Sequence, residues 1–527
     1  MRHHSASRLI FTFMTILLGL AYPNIINAQQ LSGAIRIEGG LISGVTDPKA
    51  AVVSFKGIPF AAPPVGDLRW KTPQPVKSWE GTRECKTFSA SAMQAKPTPF
   101  LMWTAEFIAP AEPLSEDCLY LNVWTAAKSA NEKRPVIVFI HGGAFTSGSG
   151  SVPVYDGAAM AQKGVVFVTI NYRVGVFGFF SHPDLSRESA SKTSGNYGLL
   201  DQIEALKWVK KNIAAFGGDP DRVTIAGQSA GAFSVNYLVA SPLAKGLFQR
   251  AIAESGGAVL PTNPFAGTQN LKDAEQHGIE YARSLNAASI ADLRSKSASE
   301  IMAVRMNSSP IIDGYVIPEP LYKIFSAGKQ NDVPVLMGWN ADEGNFGGPI
   351  QNAAAFRQSA SKEFGEKAEE FLKLFPATSE AEAEKSQTDL SSLKTFGIQS
   401  YAWMNFQNKT GKSPIFLYHF ERKVPHGADQ KPFGAFHTSE VPYAYNNLSM
   451  SNRPWQPTDY KLAETMSSYW ANFAATGDPN GSGLPKWSVC STNNLKVIRL
   501  DEKVELSDLP NQKGLEFLEQ FFLSKLK

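Results

Sequence analysis

Between a β-branched run ending at Ala226 and a stretch of helix formers opening at Ala230 lies Gly227-Gln228-Ser229-Ala230-Gly231, a G-x-S-x-G string. No other feature narrows the possible folds of this chain as much. A strand that reverses sharply into a helix forces its apex residue into a strained backbone conformation, and glycines two positions to either side make room for the flanking chain. The string alone is a weak signal, because 42 of the 527 residues are glycine. Its place between strand and helix gives it meaning. Such a turn leaves the Ser229 hydroxyl exposed above a sheet, with a helix N-terminus behind it that favours developing negative charge.

The surrounding pattern supplies that sheet. Val136 to Ile140, Val165 to Asn171, Arg222 to Ala226, Arg250 to Glu254, Val333 to Gly338, Pro414 to Phe420 and Leu495 to Leu500 read as strands. Ile203, Leu206, Val209 and Ile213 recur at helical spacing until Gly217-Gly218 and Asp219-Pro220 stop the helix. This alternation predicts an α/β fold with a mostly parallel sheet flanked by helices. The segments from about Asn263 to Asp332 and from Pro349 to Lys412 read as helical insertions between strands. Leu462, Met466, Tyr469, Trp470 and Phe473 share one face of a late helix and are expected in the core.

With 51 Lys and Arg, 48 Asp and Glu, and 43% hydrophobic residues, the chain has neither the composition of a disordered protein nor a basic footprint for nucleic acid or an anionic membrane. Much of the small excess of positive charge sits at the start. Arg2 and Arg8, the apolar run Leu9 to Ala21, and Ile26-Asn27-Ala28 before Gln29 have the layout of a secretory signal peptide. Its apolar part is short for a membrane span. Removing residues 1–28 takes two Arg and no acid, predicting a nearly neutral protein of residues 29–527, secreted or periplasmic and without an anchor. Oligomeric state is not legible in this pattern.

A nucleophilic serine requires a base, an acid to orient it, and donors for an oxyanion. His141-Gly142-Gly143-Ala144-Phe145 directly follows a strand, and its small residues let backbone N–H groups of Gly143 and Ala144 point into a cavity; Ala230, the residue after Ser229, supplies a third. The acid and then the histidine should follow in chain order. Of the eight histidines only His426 and His437 come late enough outside a strand, and His437, in the turn Gly434-Ala435-Phe436-His437, is the expected base. Gly338-Trp339-Asn340-Ala341-Asp342-Glu343-Gly344 follows a strand and offers Asp342 or Glu343; spacing does not choose between them.

The chain resembles the type-B carboxylesterase and cholinesterase family of α/β-hydrolases, and among them bacterial carboxylesterases of the p-nitrobenzyl esterase kind. The resemblance rests on Phe55 to Ala61 (FKGIPFA) with Pro63-Pro64-Val65-Gly66, on Glu116 to Trp124 (EDCLYLNVW), and on His141-Gly142-Gly143. It continues through Asn171-Tyr172-Arg173, Gly195 to Gln202 (GNYGLLDQ), Phe216 to Pro220 (FGGDP) and Glu254-Ser255-Gly256. It implies that Glu343, just before Gly344, is the acid, that Arg69 pairs with Glu116, and that Ser255 lies behind the acid and histidine. It also implies a Cys85–Cys118 disulfide closing a loop beside the site, a bond that an exported protein can form and that would stabilise by about 3–4 kcal/mol in the chain-entropy model. Cys490 is left as a small buried hydrophobe.

Two departures bear on substrate. The family usually places Glu before the nucleophile, where this chain has neutral Gln228, which makes a cationic choline ester a poor substrate. Met102-Trp103 resembles the choline-site tryptophan, but the loop to Cys118 is longer; Trp103 and Phe107 are expected in an acyl or aromatic pocket, on the surface, or in the core. The expected activity is hydrolysis of small-molecule carboxylic esters through an acyl-enzyme, with no metal or organic cofactor required. The alternatives are a specialised hydrolase for feruloyl, aromatic or xenobiotic esters or carbamates, and a non-catalytic adhesion protein of the same fold. Asn307, Asn408, Asn447 and Asn480 head N-x-S/T sequons, relevant only in a host that glycosylates exported proteins.

Overall fold

The computed structural model describes Met1, Leu31 and residues 33–262, 269–344, 349–427 and 431–526. Residues 2–28 of the expected leader lie outside the described residues. Eleven strands form one sheet: β1 (Val45–Asp47), β2 (Val52–Pro59), β3 (Tyr120–Thr125), β4 (Arg134–Ile140), β5 (Val166–Ile170), β6 (Gly218–Gln228), β7 (Arg250–Glu254), β8 (Val335–Asn340), β9 (Ile415–Phe420), β10 (Lys496–Leu500) and β11 (Glu505–Asp508). Their spatial order is β11-β10-β9-β8-β7-β6-β4-β5-β3-β2-β1. From β5 across to β10 every neighbouring pair is parallel; the pairs outside them are antiparallel. This is the mostly parallel α/β sheet that the alternating pattern predicts.

Burial explains the composition of the strands. All residues of β5, β8 and β9 are buried, as expected where helices cover both faces of a parallel sheet and leave no solvent face to alternate with. The edges are polar: β1 is fully exposed, and β11 alternates partly buried and exposed positions. Short, hydrophilic edges resist pairing with a second chain. Helix α1 (Tyr197–Asn212) runs into a 3₁₀ turn that ends at Gly217 with φ 79°, the left-handed cap its sequence predicts. Helix α2 (Ala230–Ala240) follows the elbow.

The first insertion carries helices Leu271–Ser284, Ile290–Ser295, Ala298–Met302 and Leu321–Ser326. The second carries Ala353–Phe364, Ala368–Leu374, α3 (Glu380–Ser392) and α4 (Ile398–Thr410), with a π-helical segment, Leu393–Gly397, joining the last two. In α5 (Pro457–Thr476) Leu462, Met466, Tyr469, Trp470 and Phe473 are all buried. Among the described residues no helix is long and apolar enough to cross a membrane.

Arg69 forms the expected ion pair, a bidentate one, with Nε 2.7 Å and Nη2 2.6 Å from the Glu116 carboxylate. The expected Cys85–Cys118 disulfide is not seen. Cys85 and Cys118 are both buried free thiols. Burial pushes the Cys85 thiol up to about 11 and the Cys118 thiol higher still, which holds both as the protonated form that does not attack a disulfide. Cys490 is also buried, its thiol pushed up to about 12 by burial. The Asn447 sequon is occupied by packing: its amide is buried and donates to the Val154 and Asp156 carbonyls.

Candidate active site

The elbow has the geometry that its sequence dictates. Ser229 sits at φ 56°, ψ −125°, between the end of β6 and the start of α2, and its N–H donates to the Glu254 carbonyl at 2.9 Å. A Cβ on Gly227 would lie 2.5 Å from the Gly231 carbonyl carbon, and one on Gly231 would collide with the Ile140 carbonyl. Both glycines are therefore required by close backbone approach.

The His141–Phe145 loop lies against this turn, since a Cβ on Gly142 would come within 3.0 Å of the Ser229 Cβ. His141 donates Nδ1–H to the Gly142 carbonyl at 2.8 Å, and the Gly143 carbonyl accepts the N–H groups of Thr146 and Ser147, each at 3.0 Å. In a trans peptide the next N–H points opposite the carbonyl, so the N–H groups of Gly143 and Ala144 face away from the interior of the loop. The Ser229 carbonyl is engaged by the Phe233 N–H, which turns the Ala230 N–H the opposite way. The left-handed φ of Gly143 (110°) and Ala144 (53°) makes this arrangement possible.

Glu343 and His437 meet although they are far apart in the chain. Glu343 follows β8 and is buried; its Oε2 lies 2.7 Å from His437 Nδ1, and its Oε1 accepts the Asn340 N–H at 2.7 Å. Of the two candidate acids, Glu343 is the one that meets His437; Asp342 instead accepts the Ala435 N–H at 2.8 Å, latching the turn that carries His437. A cavity of about 810 Å³ opens beside that latch, lined by Met102, Asp342, Arg422, His426, Phe433 and Gly434 among others, but not by Ser229, Glu343 or His437. His426 is exposed.

Burial sets the protonation of the pair. It takes the His437 imidazole down to about 4, with the Glu440 charge opposing, and it raises the Glu343 carboxyl against the lowering effect of the Asn340 N–H, the nearby Ser255 hydroxyl and His419. Ser255, at φ 51° directly after β7, is thus placed beside the Glu343 carboxyl. The Gln228 amide nitrogen is 3.4 Å from His437 Nδ1 and 3.3 Å from Nε2. Trp103 donates its indole N–H to Thr438 Oγ1 at 2.9 Å and stands edge-on to the His437 ring, and Phe107 packs edge-on against Phe436. The loop ahead of Cys118 thus packs on the turn that carries His437.

Three residues outside the sequence reading complete the surroundings. Asn340 donates through its side chain to Glu440 Oε2 at 2.5 Å and to the Phe436 carbonyl at 2.8 Å. Glu440 is buried, its carboxyl raised by desolvation and by the Glu343 charge. Phe396, from the π-helical segment, stacks on His437 with ring centroids 4.6 Å apart. A carboxylate three residues after the histidine was a readable signal for Glu440; Phe396 had none, because its approach depends on tertiary packing.

Comparison with known proteins agrees with this architecture. The model of the Carboxylesterase family matches residues 31–518. Fumonisin B1 esterase of Sphingopyxis macrogoltabida is 37% identical over 92% of this chain and 88% of its own length. Para-nitrobenzyl esterase of Bacillus subtilis is 34% identical over 89% and 95%, and human cocaine esterase 34% over 85% and 83%. A match across nearly the whole chain, joined to the sheet and elbow above, makes this protein a member of the carboxylesterase family of α/β-hydrolases and a carboxylic ester hydrolase.

Proposed function

We propose that the protein is an exported serine carboxylesterase that works through an acyl-enzyme. Ser229 attacks the ester carbonyl while His437 Nε2 takes its proton. Glu343 orients the imidazole and stabilises its cation, and the N–H groups of Gly143, Ala144 and Ala230 hold the tetrahedral oxyanion. The alcohol leaves with the proton from His437, and water then releases the acid by the same route. The observation that carries this reading is the strained Ser229 elbow packed against the His141–Phe145 loop, with the Glu343–His437 pair reaching it through Gln228.

The substrate class proposed is a non-cationic carboxylic ester, since Gln228 brings no carboxylate to the elbow. A relative named for fumonisin B1 puts that compound in the substrate panel, beside short-chain, long-chain and aromatic esters compared by kcat/KM. In the proposed exported form residues 1–28 are removed, which N-terminal sequencing of the secreted or periplasmic protein tests. A fluorophosphonate probe should label Ser229, and Ser229→Ala should lower kcat for p-nitrophenyl acetate by about 10⁴-fold or more. Activity retained in Ser229→Ala overturns the mechanism.

A further inference from the structure

His437 is held by more than a carboxylate. The Gln228 amide nitrogen is almost equidistant from the two ring nitrogens, at 3.4 and 3.3 Å. Those nitrogens flank Cε1, so an atom at such distances in the ring plane would overlap that carbon; the amide therefore lies over a face of the imidazole. Phe396 covers the other face, its ring within 14° of parallel and its centroid 4.6 Å away. Two groups this close do not fit on one side of a five-membered ring.

We propose that Gln228 and Phe396 form a clamp that fixes the plane of the His437 imidazole, and that both are positioning residues for ester hydrolysis. The proposal rests on His437 being the general base. A hydrogen bond from Nδ1 to Glu343 anchors one nitrogen but lets the ring rock about that bond, swinging Nε2 off the line to the Ser229 hydroxyl. Contact on both faces removes that motion. Misplacement of a reacting group by about 1 Å costs on the order of 100-fold in rate, so the clamp acts on turnover rather than on substrate capture.

The π-helical segment is the device that supplies one jaw. Inserting a wide turn between α3 and α4 changes the phase of the side chains across the junction, and such bulges recur at functional sites. Here the same junction also grips the acid. Ser392, the last residue of α3, donates its hydroxyl to the Glu343 carbonyl, and a Cβ on Gly344 would lie 2.6 Å from the Ser391 carbonyl carbon. One piece of helix therefore holds both the main chain at Glu343 and the plane of the ring that its carboxylate meets. The other jaw belongs to the residue just before Ser229, so the clamp ties His437 to the nucleophile turn. The π face of Phe396 also favours the imidazolium that forms as Ser229 loses its proton.

The test compares purified wild type with Phe396→Leu and Gln228→Met, which keep bulk while removing the aromatic face or the amide. Each variant should lower kcat for p-nitrophenyl acetate roughly 10-fold, should slow fluorophosphonate labelling of Ser229 by a similar factor, and should leave KM within about two-fold. Labelling of wild type at Ser229, and its loss in His437→Ala, tests the underlying reading separately. With that reading intact, a variant that keeps wild-type kcat, whatever its melting temperature, overturns the clamp. A rise in KM at constant kcat overturns it too, because it would place the residue in substrate binding. Two variants on opposite faces keep the question answerable should one of them fail to fold.

Discussion

Asn340 donates its main-chain N–H to Glu343 Oε1 across 2.7 Å, so the proposed triad acid is held by the end of the strand that delivers it. Because that bond comes from the backbone, changing the Asn340 side chain leaves it in place. The side chain has a different task, holding Glu440 and the Phe436 carbonyl, and Glu440 Oε1 already has no hydrogen-bond partner among the described residues. Asn340→Ala should therefore cost stability, about 1–3 kcal/mol for the buried groups left unpaired, more than it costs catalysis. Urea unfolding midpoints and kcat measured on the same preparation check this. A kcat collapse without loss of stability would contradict it.

Glu343→Gln separates orientation from charge. The amide keeps the size of the side chain, but it can present N–H toward His437 Nδ1 and so favour the tautomer with its proton on Nε2, the wrong nitrogen for accepting one from Ser229. The expected loss in kcat is about 10³–10⁴-fold, with thermal stability little reduced because the buried charge is removed at the same time. Steady-state kinetics beside a melting curve decide it; near-wild-type turnover would remove Glu343 from the acid role.

The fold was readable because its signals are local. Continuous apolar runs marked the buried parallel strands to within a few residues, and Gly217 marked where the helical run stops, since the 3₁₀ turn after α1 is closed by its left-handed backbone. At the site, Ser229 and the His141–Phe145 loop were legible for the same reason, each being strand plus turn. Asp342 and Glu343 were not separable, since they differ only in which way a turn of two residues points, and that is decided by the distant Ala435 N–H. Phe396 was invisible because a π-helical turn breaks the very periodicity by which a helix face is read. The Cys85–Cys118 bond was inferred from resemblance alone, and both cysteines are free thiols in the packed core.

The pH profile follows from burial of the proposed base, His437. With the His437 imidazole brought down to about 4 from its ordinary 6.5, the ring stays unprotonated and able to accept a proton well below neutrality. The kcat/KM for a neutral ester should hold from pH 7 to near pH 5, with its acid limb nearer 4 than 6.5. For stability the sign is fixed by the same shift. The folded chain binds fewer protons here than the unfolded chain, so this contribution is present above about 6.5 and is lost as pH falls toward about 4. Initial rates taken before acid unfolding sets in isolate the catalytic limb, and a limb at 6.5 or above would show either an imidazole in contact with water or protonation of the Glu343 carboxyl that burial raises.

Gly231 and Gly246 make opposite predictions from the same substitution. At Gly231 a methyl group meets the Ile140 carbonyl in the backbone of the neighbouring strand, where no side chain can move aside. At Gly246 the space around an added Cβ is open, and only the positive φ of 78° opposes alanine. Gly246→Ala should cost about 1 kcal/mol, the ordinary penalty of left-handed backbone. Gly231→Ala should cost about 3 kcal/mol, because α2 must shift relative to β4. That shift also displaces the Ala230 N–H and the Ser229 hydroxyl, so the fluorophosphonate labelling rate should fall in Gly231→Ala and stay at the wild-type value in Gly246→Ala. Equal labelling rates in the two variants would mean that the elbow tolerates a spread its packing forbids, and the case for Ser229 as a strained, precisely held nucleophile would fail with it.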